Sequence, residues 1–219
     1  ALLRDGRPAI DPAGAQVGPY RTMAEAVAMR THGLGGDSEV HFTSQGLTAG
    51  VTLGPKRLLP ISLIAVTAPE VVHNALDAQL RRSVVAEHDG RFVRAVEGQG
   101  AEGLAPRDMA LLERIGGDVW PLGDVLRNRV DQSALARLVA RGLVQLAGVT
   151  PTDASHVTGH LSAWDADAAR KALTLFGRKR GGSGMRFCPD PDDLAQIILD
   201  RLTDQTTLAL LETAFAEEK

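Results

Sequence analysis

The alternation of apolar and polar residues marks the first part of the chain as strand-rich. Apolar positions alternate with polar ones over 38–43 and again over 47–53, on either side of Ser44-Gln45-Gly46. This pattern predicts a β-hairpin. The β-branched apolar run at 61–66 is too short to assign by periodicity, so it predicts a buried strand or a short buried helix. Residues 1–68 therefore form the first block.

Helical spacing replaces alternation in the second block, residues 69–149. A helix is predicted from Pro69, with its apolar residues on one face, and a short strand over 91–96. Three short helices and a further strand follow, predicted at 106–115, 121–127, 131–141 and 143–146. Gly142 directly follows the third of these helices, where a C-terminal cap is expected. Three short helices followed by a strand are typical of a winged helix-turn-helix.

The third block, residues 150–219, is predicted to be mainly helical. Apolar residues repeat at helical spacing over 164–176, over 192–201 and from Thr203 onward. The chain begins without methionine, and its last helix has no capping residue. Both features are typical of a fragment of a longer protein. Together the three blocks predict an α/β fold class, or α+β if the chain is a fragment.

A glycine-rich loop precedes the predicted hairpin. Gly33, Gly35 and Gly36 fall within four positions, and Asp37 and Ser38 follow at once. Glycines that adopt positive φ, with their N–H groups turned inward, form an anion-binding nest. A tight turn that needs glycine for its backbone alone gives the same pattern. The local sequence leaves both interpretations open.

Composition excludes several classes of protein. The 219 residues carry a net charge of −3, which lacks the basic character of a nucleic-acid-binding domain. The single cysteine, Cys188, cannot form an internal disulfide and fits a reducing cytoplasm. No apolar run has the length of a membrane span.

Three stretches, in order, resemble the hydantoinase/oxoprolinase family of the N-methylhydantoinase A type. The loop 33–38 (GLGGDS) resembles the family's G-A-G-G-G-S loop. Gly46-Leu47 with 51–55 resembles the G-x-L-x-V-G-P strand that follows it. The segment 150–161 resembles P-T-V-T-D-A-N-L-V-L-G-R-L. The resemblance covers 1–68 and 150–219, so that 69–149 is expected to be an inserted winged-helix-like subdomain.

The resemblance implies part of a lobe of the actin/sugar-kinase type, which is ribonuclease H-like. It implies ATP and Mg²⁺ as cofactors, and a small cyclic amide as the substrate, opened after phosphorylation of its carbonyl oxygen. The residues expected to act in catalysis are Asp37, Ser38 and Asp153. Those expected to line the nucleotide or substrate cleft are Gly33, Gly35, Gly36 and Thr152, with Thr152 and Asp153 near the glycine loop.

Two departures from the family limit this expectation. Asp37 stands where the family has a third glycine, and the family's D-I-G-G-T-x-T-D motif is absent from the chain. The chain alone is therefore expected to be inactive, with its cleft completed by the rest of its own chain or by a partner subunit. A regulatory or scaffold relative without activity is the alternative.

Other patterns suggest competing chemistry. His156 and His160 have the spacing of a helical metal site, but no third ligand is apparent and hydrogen-bonding histidines are favoured. The basic, glycine-rich segment 178–184 lacks the phosphate-loop arrangement. Arg137 and Arg141 lie on the third helix of the insert, where a winged helix contacts DNA. The acidic residues around them favour protein docking, and neither a membrane nor nucleic acid is an expected partner.

Overall fold

The computed structural model describes residues 3–4, 6–14, 16–17, 20–21, 24–27 and 31–215. The fold is mixed α/β. Packing divides the chain into two compact units, Ala1–Gly33 with Asp204–Lys219, and Leu34–Thr203. The predicted insert, 69–149, lies within the second unit. The last residues of the predicted final helix, 216–219, lie outside the described residues.

The described part of the first unit contains short strands that pair into three two-stranded antiparallel sheets. They are β1 (Leu3–Arg4) with β2 (Arg7–Pro8), β3 (Ile10–Asp11) with β6 (Ala26–Val27), and β4 (Gln16–Val17) with β5 (Tyr20–Arg21).

The second unit has two sheets. Its strands are β7 (Ser38–Gln45), β8 (Thr48–Arg57), β9 (Leu59–Pro60), β10 (Phe92–Ala95), β11 (Val119–Pro121) and β12 (Val144–Gly148). Strands β7 and β8 form an antiparallel hairpin, and the other four form a sheet in the order β11-β10-β12-β9, with β9 parallel to β12.

Helices surround these sheets. They are α1 (Ile61–Thr67), α2 (Pro69–Leu80), α3 (Pro106–Ile115), α4 (Leu122–Val125), α5 (Arg129–Ala140), α6 (Pro151–Val157), α7 (Ala166–Gly177) and α8 (Pro191–Phe215). The last helix runs through both units. Among the described residues, no helix combines the length and apolar character needed to cross a bilayer.

The predicted hairpin is confirmed, and it is longer than expected. Gly46 takes a φ of 57° at the turn, the left-handed region that favours glycine. Strand β8 passes Gly54-Pro55, where the pattern predicted its end, and continues to Arg57. This extension brings Arg57 opposite Ser38 in the register, at the end of the glycine loop.

The sheet of four strands separates two apolar cores. Phe92 and Val93 are both fully buried, and because successive strand residues point to opposite faces, they enter different cores. Phe92 belongs to the core that also contains residues of the hairpin and of α1, α2, α6, α7 and α8. Val93 packs with α3, α4 and α5. Helix α2 thus belongs to the first core, although the sequence placed it in the insert.

Two helix predictions need correction. The helices predicted at 192–201 and from Thr203 are one continuous helix, α8, because no glycine or proline ends it at Leu202. The helix predicted over 121–127 is only the single turn of α4. The ambiguous apolar run at 61–66 is the helix α1.

An ion pair joins α3 to α5. Asp108 is nearly inaccessible, and its two oxygens accept from Nε and Nη2 of Arg137 at 2.8 and 2.6 Å. These hydrogen bonds hold the pKa of Asp108 below its ordinary value of 3.8. A carboxylate with a depressed pKa stabilises the fold above that value, and the stabilisation is lost as the pH falls through the lowered pKa.

We therefore expect Asp108→Asn to lower the free energy of unfolding at pH 7, and the deficit to shrink as the pH falls below 3.8. Denaturant unfolding at a series of pH values measures this difference. Asp118→Asn, at an exposed turn, is the matched control and leaves stability at pH 7 unchanged. A deficit that is the same at pH 7 and at pH 3 would contradict the assignment.

Candidate functional site

The glycine loop meets the first turn of α6. The Gly36 carbonyl accepts hydrogen bonds from the backbone N–H of Thr152 at 2.9 Å and from its hydroxyl at 2.8 Å. A Cβ at position 36 would lie 2.7 Å from that hydroxyl oxygen, so that the Thr152 side chain would have to move. Gly36 is thus needed for a close approach, and the positive φ expected of Gly35 and Gly36 is not observed. Thr152 does lie beside the loop, as expected.

Ser38 stabilises the glycine loop through hydrogen bonds to Gly35. Its hydroxyl accepts a hydrogen bond from the Gly35 N–H at 2.8 Å, and its own N–H donates to the Gly35 carbonyl at 3.1 Å. The residue is only 1% exposed. Both N–H groups are used within the loop instead of pointing outward to an anion. These contacts favour the tight-turn interpretation, and they give Ser38 a structural task.

Asp153 fixes the start of α6 against the start of α1. Its carboxylate accepts from the N–H and hydroxyl of Thr150 at 3.0 and 2.9 Å, and from the N–H and hydroxyl of Ser62 at 2.8 and 2.7 Å. The Ile61 N–H is a fifth donor at 3.2 Å. Burial raises the pKa of this carboxyl, and hydrogen bonds from Ser62, Thr150 and Ile61 oppose that effect.

The side chain of Asp153 has no contact with solvent. A carboxylate that is saturated by five donors and fully buried does not reach a substrate. We therefore correct its predicted role from catalysis to structure, where it forms a capping box with Thr150 and joins two helices.

Asp37 remains accessible at the surface. Its carboxylate accepts from Nε of Arg57 at 2.7 Å, and both side chains are partly exposed. The pair exists because β8 runs on to Arg57 beside the loop. Gly33 is exposed and belongs to the other compact unit, so its predicted place in the cleft stays a prediction.

A groove of about 1050 Å³ opens next to the Asp37–Arg57 pair, entirely within the second unit. One end is polar, with three cations and two carboxylates: Lys56, Arg57, Arg91, Asp37 and Glu39. The remaining walls are largely apolar and include Leu58, Leu59, Val96, Leu135, Ala136, Val139, Ala140, Val144 and Leu146. Helix α5 supplies one of these walls.

Glu39 is a groove residue that sequence reasoning missed. It is 3% exposed, and its carboxylate pairs with Nη2 of Arg91 and lies 3.4 Å from Nε2 of His41. Strand alternation places Glu39 and Val40 on opposite faces of β7. The face that carries Glu39 is normally solvated. The only available signal was a carboxylate directly after the glycine loop.

Lys179 lies behind the Glu39–Arg91 pair, in a small neighbouring cavity that Arg91 also lines. Its ammonium lies 4.3 Å from the centre of the Phe176 ring. Burial, and then the nearby Arg91 charge, lower the pKa of Lys179 to about 8, while Glu39 opposes the shift. The polar end of the groove is therefore electrostatically coupled to an amine whose pKa is lowered.

The predicted histidine pair is used in hydrogen bonding. His156 donates through Nδ1 to the Thr152 carbonyl at 2.8 Å, while its Nε2 accepts from the Trp164 N–H at 3.1 Å. His160 contacts the Thr158 hydroxyl through Nδ1 at 2.9 Å. Within the described ranges, no group of three or more His, Cys, Asp or Glu side chains is arranged to hold a metal ion.

The basic segment 178–184 folds as a hairpin against the rest of the unit. Arg178 donates to the Leu80 carbonyl at 2.6 Å, and the Gly182 N–H donates to the Ser44 hydroxyl at 3.0 Å. Cys188 follows the hairpin, and burial raises the pKa of its thiol. Neither feature provides a phosphate loop or an activated nucleophile.

The arginines that α5 would need for DNA binding form hydrogen bonds within the chain instead. Arg137 forms the two-pronged pair with Asp108, and Arg141 donates through Nη2 to the Glu102 carbonyl at 2.8 Å. The groove-facing side of α5 is largely apolar, with Gln132 as its polar side chain. This arrangement favours an apolar ligand over a phosphate backbone.

Comparisons with protein-family models, with curated proteins and with solved structures found no match.

Proposed function

We propose that this chain forms the substrate-binding part of a hydrolase that opens a small cyclic amide, of the hydantoinase/oxoprolinase type. The observation that carries the proposal is the groove, whose polar end adjoins the junction of Gly36 with Thr152. Two segments that resemble family motifs, 116 residues apart, meet at this junction. The actin-like lobe and the winged-helix character of the insert belong to the same proposal.

The polar end of the groove offers the hydrogen-bonding groups that a cyclic amide requires. The guanidinium N–H groups of Arg57 and Arg91 donate to a ring carbonyl, and charge-assisted bonds of this kind are the stronger ones. The carboxylate of Asp37 accepts from a ring N–H, and the buried carboxylate of Glu39 holds the Arg91 guanidinium in place. These four side chains would orient the amide, while the largely apolar walls limit access of water.

ATP and Mg²⁺ stay predictions of the resemblance, and no described residue is assigned to hold them. The N–H groups of Gly35 and Ser38 donate within the loop, and no group of three or more carboxylate, His or Cys ligands is present among the described residues. In the family, phosphorylation of the carbonyl oxygen by ATP creates a leaving group. We therefore assign to this chain only the binding and orientation of the amide.

The test is ring opening by the natural full-length protein, supplied with ATP, Mg²⁺ and either hydantoin or 5-oxoproline. We expect ATP-dependent opening of at least one ring. Arg57→Gln should lower kcat/KM about tenfold or more, because it removes a charged donor from the groove. Arg82→Gln, which removes an exposed guanidinium from its pair with Asp89, is the control and keeps full activity. Failure to open any cyclic amide would contradict the proposal.

A non-catalytic relative is the second candidate. This candidate is favoured because the side-chain oxygens of Ser38 and Asp153 already accept hydrogen bonds from other groups of the chain. Such a scaffold protein would bind a ligand in the groove without converting it. Binding of a cyclic amide with no turnover in the presence of ATP and Mg²⁺ identifies this case.

The arginine contacts on α5 favour protein docking over DNA binding as the function of the insert.

A further inference from the structure

We propose that the tips of two adjoining hairpins form a docking surface for an anionic lipid membrane. The first tip is the turn between β7 and β8, residues 44–48, and the second is residues 180–186 of the basic segment. We call them the paired tips. Neither tip lines the groove, so this inference is independent of the proposed function.

Close contacts hold the two tips side by side within the second unit. The Gly182 N–H donates to the Ser44 hydroxyl at 3.0 Å. A Cβ at position 182 would lie 2.0 Å from the Gly46 carbonyl oxygen, so that only glycine allows this approach. Behind the tips, the rings of Phe42 and Phe187 pack edge to face, with their centroids 5.5 Å apart. The paired tips therefore form one continuous surface.

Two large apolar side chains protrude from the paired tips. Leu47 is 78% exposed and Met185 is 73% exposed. The backbone nitrogen of Leu47 lies 3.9 Å from the Cβ position at Gly182, three residues before Met185, so both side chains belong to the same surface. Peptides and small ligands bind in grooves or along strand edges, whereas apolar side chains that protrude from a surface insert between lipid headgroups.

The charge around these apolar side chains is positive. The segments 40–56 and 178–189, which contain the two hairpins, have no aspartate or glutamate, although the chain as a whole carries a net charge of −3. Arg180 and Arg186 are paired across the second hairpin, and both are exposed. Anionic lipid headgroups attract arginines placed in this way.

Anionic lipid fits this combination better than other anionic partners do. Single-stranded nucleic acid binds through aromatic stacking in a basic groove, and duplexes bind through a larger set of cations. The exposed apolar side chains of the paired tips are aliphatic, and Arg180 and Arg186 are the only charged residues there. The composition of the chain gave no indication of a membrane partner, because net charge averages over all residues and this surface depends on how two hairpins pack.

The experiment is co-sedimentation of the natural full-length protein with vesicles of phosphatidylcholine, either alone or mixed equally with phosphatidylserine. We expect binding to the mixed vesicles that weakens as the salt concentration rises, and little binding to phosphatidylcholine alone. Arg180→Gln combined with Arg186→Gln should weaken binding about tenfold or more, since each arginine near an anionic surface contributes about fivefold. Leu47→Ser combined with Met185→Ser should weaken it about tenfold or more, because apolar insertion is lost.

Two control variants separate this role from a structural one. Arg180→Lys combined with Arg186→Lys keeps the charge and should keep binding, even though the hydrogen bond from Arg180 to the Gly184 carbonyl is altered. Arg129→Gln combined with Val130→Ser removes an exposed cation and an exposed apolar side chain from α5, which packs on the other core. This variant should bind as the wild type does. Thermal unfolding of every variant confirms that it is folded.

The outcomes also separate this inference from the proposed function. Equal binding to the two kinds of vesicle, or full binding by both tip variants, would overturn the docking surface. Binding of polyglutamate or single-stranded DNA through the same residues, without binding of vesicles, would overturn it as well. Ring opening is measured without vesicles, so a protein that opens a cyclic amide and ignores lipid contradicts this inference alone.

Discussion

Replacing Asp153 by alanine is expected to lower the free energy of unfolding by about 3–5 kcal/mol, because several buried donors lose their shared acceptor at once. The substitution leaves five hydrogen-bond donors of Thr150, Ser62 and Ile61 without an acceptor in a site closed to water. It also removes the capping box of α6. Chemical denaturation, monitored by circular dichroism, measures the change.

Two further variants keep this prediction testable even if Asp153→Ala does not fold. Asp153→Asn retains one accepting oxygen and should lose less stability than alanine. Asp192→Ala removes an aspartate from an exposed pair with Arg170 and should leave stability close to that of the wild type. Equal losses for Asp153→Ala and Asp192→Ala would contradict the structural role of Asp153.

Gly36→Ala is expected to cost about 1–3 kcal/mol, a typical penalty for overpacking. The new methyl group would lie 2.7 Å from the Thr152 hydroxyl oxygen. The threonine must then rotate away, which breaks its hydrogen bond to the Gly36 carbonyl. Denaturant unfolding reports the loss.

Gly35→Ala provides the matched control one residue away. Its Cβ would meet the nearest atom, an Asp37 oxygen, at 3.5 Å, which is ordinary contact. We expect its effect to be within about 1 kcal/mol, since Gly→Ala at a compatible position restricts the unfolded chain. Thr152→Ala should reduce the penalty of Gly36→Ala in a double-mutant cycle. An additive double mutant would show that the loop and α6 are not coupled through this contact.

Local patterns were sufficient to predict most elements of the second unit. The hairpin follows from alternation around Gly46, and α2 and α3 follow from helical spacing after Pro69 and Pro106. The run at 61–66 could not be assigned, because a short buried strand and a short buried helix have the same apolar pattern. The break predicted near Leu202 was wrong, since no residue there ends a helix.

Tertiary arrangement explains what the sequence did not reveal about the site. The resemblance predicted that Thr152 lies near the glycine loop, and the structure shows the contact. It did not predict that Asp153 would be enclosed by α1, because that burial depends on how two distant helices pack. Glu39 was overlooked for a similar reason: a strand carboxylate is normally solvated, and the burial of this one depends on its pairing with Arg91, 52 residues away.

The most direct test of the central claim, that the groove binds a cyclic amide, is a crystal structure of the protein with benzylhydantoin. We expect the ring to lie between Arg57 and Arg91, at the polar end of the groove. A ligand bound elsewhere, or an empty groove in crystals grown at saturating ligand, would contradict it.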